Sequence, residues 1–255
     1  METENYQEDW AVYFCTCNED EIGSVLVDLG YTNMAPIESK SYLITVTTFM
    51  NNPGKDGLSS NEESDVLNKI EDYFIESINK EFDSIYAGRL KYGGKILSYF
   101  YSSTSEKIQD TIDKLKHNFP DYRFEYSIKE EKDWRAYFEV LYPSPFEMQV
   151  IQNGRVVENI ESHGDNLQKE RQVDHWIYFQ TGDDRENFLK SIEGNNFEIV
   201  NKDKTNFGDS PFSLQLSRID KVDYESVNEY VMYLWQKAQE FNGNYDGWET
   251  FIVRD

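Results

Sequence analysis

Strand-period and helix-period segments follow one another twice in the same order along this chain, and that repeated order leaves few architectures open. Residues 10–17 (WAVYFCTC), 22–29 (IGSVLVDL) and 41–49 (SYLITVTTF) are rich in β-branched and aromatic residues and read as strands. The turn-forming stretch NNPGKDG at 51–57 ends that pattern. Ser60 and Glu63 have the spacing of a capping box, in which hydroxyl and carboxylate satisfy reciprocal backbone donors. Behind them Val66, Ile70, Tyr73, Phe74 and Ile78 recur at helical spacing, which predicts a helix over 61–80. Strands near 84–91 and 95–101 flank Tyr92-Gly93-Gly94, a hairpin turn. Ser103 and Glu106 read as a second capping box, opening a helix marked by Ile108, Ile112, Leu115 and Phe119 and ended by Pro120. Tyr122, Phe124, Tyr126 and Ile128 alternate as a half-buried strand, and one more strand is expected from about Trp134 to Leu141. From residue 40 onward the order is therefore β-α-β-β-α-β with an extra strand.

Residues 144–164 carry two competing signals. Asn153-Gly154 between short apolar stretches suggests a hairpin. Ser144, Pro145 and Glu147 place a cap, a first-turn proline and a capping acid in helical order. The second signal is favoured, giving a linker helix over 144–164 between a domain at 1–143 and another at 165–255. The second domain repeats the order. His175–Gln180 is a strand, and Asp183 with Glu186 opens a short helix carrying Phe188, Leu189 and Ile192. Phe197–Val200 and the alternating Phe212, Leu214 and Leu216 are strands. Asp223 starts a helix with Val227, Val231, Leu234, Ala238 and Phe241 on one stripe, and Asn242-Gly243-Asn244 stops it through a left-handed cap. A last strand runs to about Val253. The fold class expected is α+β: two ferredoxin-like, split-βαβ sandwiches joined by a helix.

Charge and composition narrow the function. At 255 residues two domains of roughly 100–150 residues are expected, each large enough to bury a core. The net charge is −23, and neither half escapes it: residues 1–143 hold 27 acids against 14 bases, residues 144–255 hold 21 against 11. Both halves repel phosphate backbones, which disfavours direct nucleic-acid binding. Such a surface suits a basic protein partner, although negative charge also simply keeps a protein soluble. No secretory core follows the polar METENYQEDW, and the apolar runs are strand-length, so neither export nor a membrane span is expected. Cys15 and Cys17 stand two apart on a strand, on one face, an arrangement poorly suited to a disulfide. The expected compartment is the cytoplasm.

No chemistry declares itself. His117, His163 and His175 lie in no catalytic signature, and the pairs Glu62/Glu63, Glu130/Glu131 and Asp183/Asp184 read as solvated or capping charges. Phosphate-binding glycine loops and calcium-loop spacings are missing. Catalytic, cofactor and metal residues are thus expected to be none. An alternative remains: a divalent-metal-dependent enzyme or small-molecule binder with a site between the domains. A self-assembling structural protein is a third. The densest motif is Asn242-Gly243-Asn244-Tyr245-Asp246-Gly247-Trp248-Glu249. One reading is structural, with Gly243 capping, Gly247 relaxing the strand, and Tyr245 and Trp248 packing on the sheet. The other makes Tyr245, Asp246 and Trp248 a protein-binding patch, joined by Asp183 and Asp184.

That motif carries a resemblance. The segment from about Asp174 to Val253, running into FNGNYDGWETFIV, resembles the bacterial regulator of ribonuclease E activity B family, which has GG-x-YDGW here. Gly243, Tyr245, Asp246, Gly247 and Trp248 match, and Asn242 replaces the first glycine. Residues 8–143 resemble an uncharacterised domain family numbered 695, through DGLSSNEESDVLNKIEDYF (56–74) and GRLKYGGKILSYFYS (88–102). The resemblance implies a small acidic protein that binds an endoribonuclease of the RNA degradosome and lowers its activity. It implies no catalytic residues and no cofactor.

Overall fold

A computed structural model describes residues 6–18, 20–81, 83–106, 108–204 and 210–254. Residues 1–5, half of the polar opening segment in which no secretory core is expected, lie outside the described residues. The chain divides into two compact units, Met1–Glu147 and Met148–Asp255.

The first unit is a six-stranded antiparallel sheet. Its strands are β1 (Trp10–Cys17), β2 (Glu21–Asp28), β3 (Tyr42–Phe49), β4 (Ser84–Tyr92), β5 (Lys95–Ser102) and β6 (Arg123–Glu130). They lie in the order β1-β2-β4-β5-β3-β6. Helix α1 (Asn61–Glu81) links β3 to β4, and α2 (Ile108–Asn118) links β5 to β6. The last four strands with these helices make the split-βαβ sandwich, and β2 and β1 extend it beyond β4. At Tyr92↔Lys95 the hairpin closes on Gly93 and Gly94, with φ of 54° and 71°, values glycine adopts without a Cβ clash. Ile70, Phe74 and Ile78 of α1 and Ile112 and Leu115 of α2 bury against Ile44, Val46 and Phe100 of the sheet.

Two capping readings are corrected. Glu63 does not close a box with Ser60: its buried carboxylate accepts from the amides of Asn51 (2.7 Å) and Asn52 (2.8 Å), holding the loop after β3. Two turn amides in reach of a desolvated carboxylate outcompete one helix-end donor. Helix α2 starts at Ile108, and Thr104 and Glu106 donate their amides to Ser102 Oγ and Thr104 Oγ1 in successive side-chain turns.

The extra strand expected at Trp134–Leu141 is also corrected. Residues Tyr137–Leu141 form a π-helical turn. Trp134, Tyr137 and Leu141 recur three and four apart, and all three are fully buried. The turn covers the sheet face opposite the helices. Trp134 stacks on Tyr101 with centroids 3.9 Å apart, and its Nε1 donates to the Lys40 carbonyl (3.0 Å). Buried Glu131 accepts from Tyr101 Oη (2.8 Å) and the Ala136 amide (2.8 Å), which fixes where the turn begins. Tyr137 Oη donates to the Asp28 carbonyl, and Tyr13 Oη to that of Leu141.

The second unit is a four-stranded antiparallel sheet. Its strands are β7 (Arg171–Phe179), β8 (Glu198–Asn201), β9 (Phe212–Asp220) and β10 (Gly243–Thr250), in the order β10-β7-β9-β8. Between them run α4 (Gly182–Ser191) and α5 (Tyr224–Glu240). Helix α3 (Pro145–Ser162) is capped as its sequence predicts, with Ser144 N donating to Glu147 and Glu147 N to Ser144 Oγ. The boundary between units falls in its first turn, and Val157 and Ile160 belong to the second core. Asp223 caps α5 by accepting from Ser226 N (3.0 Å). For α4 the cap is Thr181 and not Asp183, because the Thr181 side chain accepts from Asp184 N (3.1 Å).

The helical spacing at 134–141 has a measurable consequence. Trp134→Ala is expected to cost about 3–5 kcal/mol, and Phe138→Ala, at a half-exposed position, less than about 1 kcal/mol. Urea unfolding of the two variants checks this; similar losses from both would restore the strand reading.

Candidate functional site

The Tyr-Asp-Gly-Trp segment owes its geometry to a β-bulge. In the pairing of β10 with β7, Tyr245 faces Ile177, Gly247 faces Trp176 and Trp248 faces His175, so Asp246 is the extra residue. A regular strand would put residues three apart on opposite faces. The inserted residue reverses that alternation, and both Tyr245 and Trp248 turn onto the helix-covered core. Gly247 at the bulge has φ 156°, in the region that favours glycine. Gly243 serves a different need: a Cβ there would sit 2.5 Å from the Phe179 ring. Asn242, just before Gly243, takes φ 53°, a left-handed conformation that asparagine tolerates better than most residues and that turns the chain from α5 into β10.

Each candidate residue has a definite place. Tyr245 is buried, and its hydroxyl lies 2.8 Å from His175 Nδ1. Trp248 is half-buried and donates through Nε1 to Asn153 Oδ1 (3.2 Å). Asn153 sits inside α3, where it also accepts from Gln149 (3.1 Å) and donates to Asn228 (3.0 Å). Asp246 is exposed on the bulge, and Asp183 is exposed in the first turn of α4. Asp184 accepts from Asn242 Nδ2 (3.3 Å), which joins the first turn of α4 to the start of the motif. The fold thus brings α4 and the motif together, fixes the two rings inward and leaves carboxylates outside.

Sequence reasoning passed over the cluster behind the motif. His175 alternates with Val173 and Ile177 on the inward face of β7, a signal of burial present in DHWIYF. Its ring meets Tyr230 and Phe197 edge-on, and the Arg218 guanidinium lies 4.2 Å from the Phe197 centroid while paired with Asp220. Burial, helped by the Arg218 charge, pushes the His175 pKa down to about 3. Burial likewise raises that of Tyr245. A neutral imidazole of such low basicity suits a structural hydrogen bond, not proton transfer at neutral pH. His117 and His163 are exposed, and among the described residues no three His, Cys, Asp or Glu side chains gather as a metal site.

In the first unit, a depression of about 520 Å³ opens beside Trp10, with Leu26, Ile75 and Tyr86 on its walls. Its buried carboxylate, Glu71, is already committed to Arg89 and the Tyr86 hydroxyl.

The buried histidine makes stability depend on acid. Below pH 6.5 the unfolded imidazole takes up a proton that the folded one refuses until about pH 3. Stability is therefore complete above pH 6.5 and falls as pH drops toward 3, by up to ~1.4 kcal/mol per pH unit from this group. Urea melts at pH 7, 6, 5 and 4 should show a shallower slope for His175→Gln. Equal slopes would mean that His175 titrates normally.

Residues 8–142 match the model described as a family of unknown function (DUF695), and residues 150–250 match the model described as regulator of ribonuclease activity B. No curated protein matches the chain. Among solved structures, a protein of unknown function from Galdieria sulphuraria is 12% identical over 83% of this chain and 99% of its own, with a TM-score of 0.22. A protein assigned as a glycine cleavage system transcriptional repressor is 11% identical over 83% and 98%, with a TM-score of 0.23. The chain belongs to the family of unknown function numbered 695, and behind that domain residues 150–250 match the regulator of ribonuclease activity B family.

Proposed function

We propose that this protein is a non-catalytic, acidic regulator in the cytoplasm that binds an endoribonuclease and lowers its activity. The observation that carries the reading is the match of residues 150–250 to the family described as regulator of ribonuclease activity B, a span that includes the bulged Tyr-Asp-Gly-Trp segment. The exposed carboxylates of Asp183 and Asp246 supply the contact with a basic segment of the enzyme, and half-buried Trp248 supplies apolar area at its margin. Tyr245 acts from inside, holding the strand that presents Asp246. Charge complementarity of this kind speeds encounter more than it slows dissociation.

The test is direct. The full chain, titrated into the degradosome endoribonuclease with a fluorescent RNA substrate, should reduce cleavage to a plateau. Binding measured in parallel should weaken at least tenfold between 50 and 500 mM salt. Asp183→Asn with Asp246→Asn should lower the association rate several-fold and leave the dissociation rate nearly unchanged. Unaltered cleavage at saturating regulator would dismiss the reading.

A further inference from the structure

The two edges of the six-stranded sheet are built differently. Strand β6, at one edge, reads RFEYSIKE and carries Arg123, Glu125, Lys129 and Glu130. Strand β1, at the other, reads WAVYFCTC and carries no charge in eight residues, in a chain that is 29% charged. Natural sheets blunt free edges with charges, prolines or bulges, because an unpaired strand recruits another. Strand β1 has none of these, and its pairing with β2 is regular from Trp10 to Cys17.

The register shows which groups are free. Leu29 N donates to the Asp9 carbonyl, so Asp9 and the odd-numbered residues after it spend their backbone groups on β2. The N–H and C=O groups of Trp10, Val12, Phe14 and Thr16 therefore point away from the sheet. The side chains of these same residues stand on the helix-bearing face, since Val12 pairs with Leu26, which packs against that core. Helix α1 packs on β4 and stops short of them. Trp10 is 38% exposed, Val12 57% and Phe14 65%, with Ile22 beside them at 48%. Depressions lie at both ends of this strip, one walled by Trp10, Leu26 and Tyr86, the other by Phe14, Ile22 and Phe146.

We propose that β1 is a docking edge for an extended segment of another protein, apolar at alternate positions and carrying lysine or arginine at its flanks. Main-chain pairing with Trp10, Val12, Phe14 and Thr16 supplies affinity, and the two depressions take its side chains. The charge of the occupant follows from the rims. Glu8 and Asp72 border one depression and Asp56 and Glu147 the other. Among the described residues lining the two depressions the one cation is Arg89, and it is tied to Glu71. A second copy of this chain fits poorly, because the sequence flanking its β1 is acidic on both sides (Glu8 and Asp9 before it, Asp20 and Glu21 after it), like the rims it would meet. This edge lies in the first unit, so the inference is independent of the ribonuclease reading.

The probe is a fluorescein-labelled ten-residue peptide of alternating valine and threonine with two lysines at each end, titrated into the full chain by anisotropy. Saturable binding is expected, and backbone N-methylation at alternate residues, which keeps every charge and side chain, should weaken it at least tenfold. Phe14→Pro removes an outward donor without removing a bond to β2 and should weaken it as much; Thr16→Lys provides a second variant should the proline disturb folding. In residue-resolved amide exchange, Val12, Phe14 and Thr16 should gain protection while Ala11 and Tyr13, already paired, change little. No saturable binding, equal binding of the N-methylated peptide, or a dimer of the free chain abolished by Phe14→Pro would each overturn the proposal.

Discussion

Six strands present more sheet surface than two helices can cover, and the N-terminal unit is organised around that shortfall. On one face α1 and α2 bury the central strands. On the other, the π-helical turn at Tyr137–Leu141 lays Trp134, Tyr137 and Leu141 against the sheet. Apolar burial alone would leave that turn free to slide. Its position is set by directional bonds from Glu131, Tyr101 and Trp134, each between groups withdrawn from water, where an unmade bond costs about 1–3 kcal/mol. What neither layer reaches is the outer face of β1, and that remainder gives the unit its distinctive surface.

The C-terminal unit solves a smaller version of the same problem. Four strands suit two helices, with α3 adding Val157 and Ile160 to one core. Here the unusual feature lies within a strand. The bulge at Asp246 lets two large rings three residues apart share one face, and the buried His175 and Asn153 give each ring's polar atom a partner. A buried hydroxyl or indole N–H without one would weaken the packing that the rings supply. Conformation, packing and polar satisfaction thus converge on one short segment.

Much of this could be read from the residues. The long helices, the Gly93-Gly94 hairpin, the capped start of α3 and the repeated βαββαβ order follow from local periodicity and turn chemistry. The strand expected at Trp134–Leu141 failed because AYFEVL alternates as well as it spirals, and only the burial of residues 134, 137 and 141 separates the two. Glu63 was misassigned because a capping box and a loop clasp share one spacing, and distant amides decide between them. At the candidate site, the motif and its glycines were visible, and so was the packing of Tyr245 and Trp248 on the sheet. The partners His175 and Asn153 were not, since they come from β7 and α3. The openness of β1 was equally hidden, because it depends on how far α1 extends across the sheet.

The bulge also divides two kinds of evolutionary change. Asp246 faces solvent and pairs with no strand residue, so its side chain is free to be exchanged as partners change. Its place in the count is not free. Losing one residue between Tyr245 and Trp248 would invert the strand beyond that point, turning the indole to water and taking Thr250 from the Gln172 carbonyl to which it now donates. The segment can therefore drift in chemistry while its length stays locked.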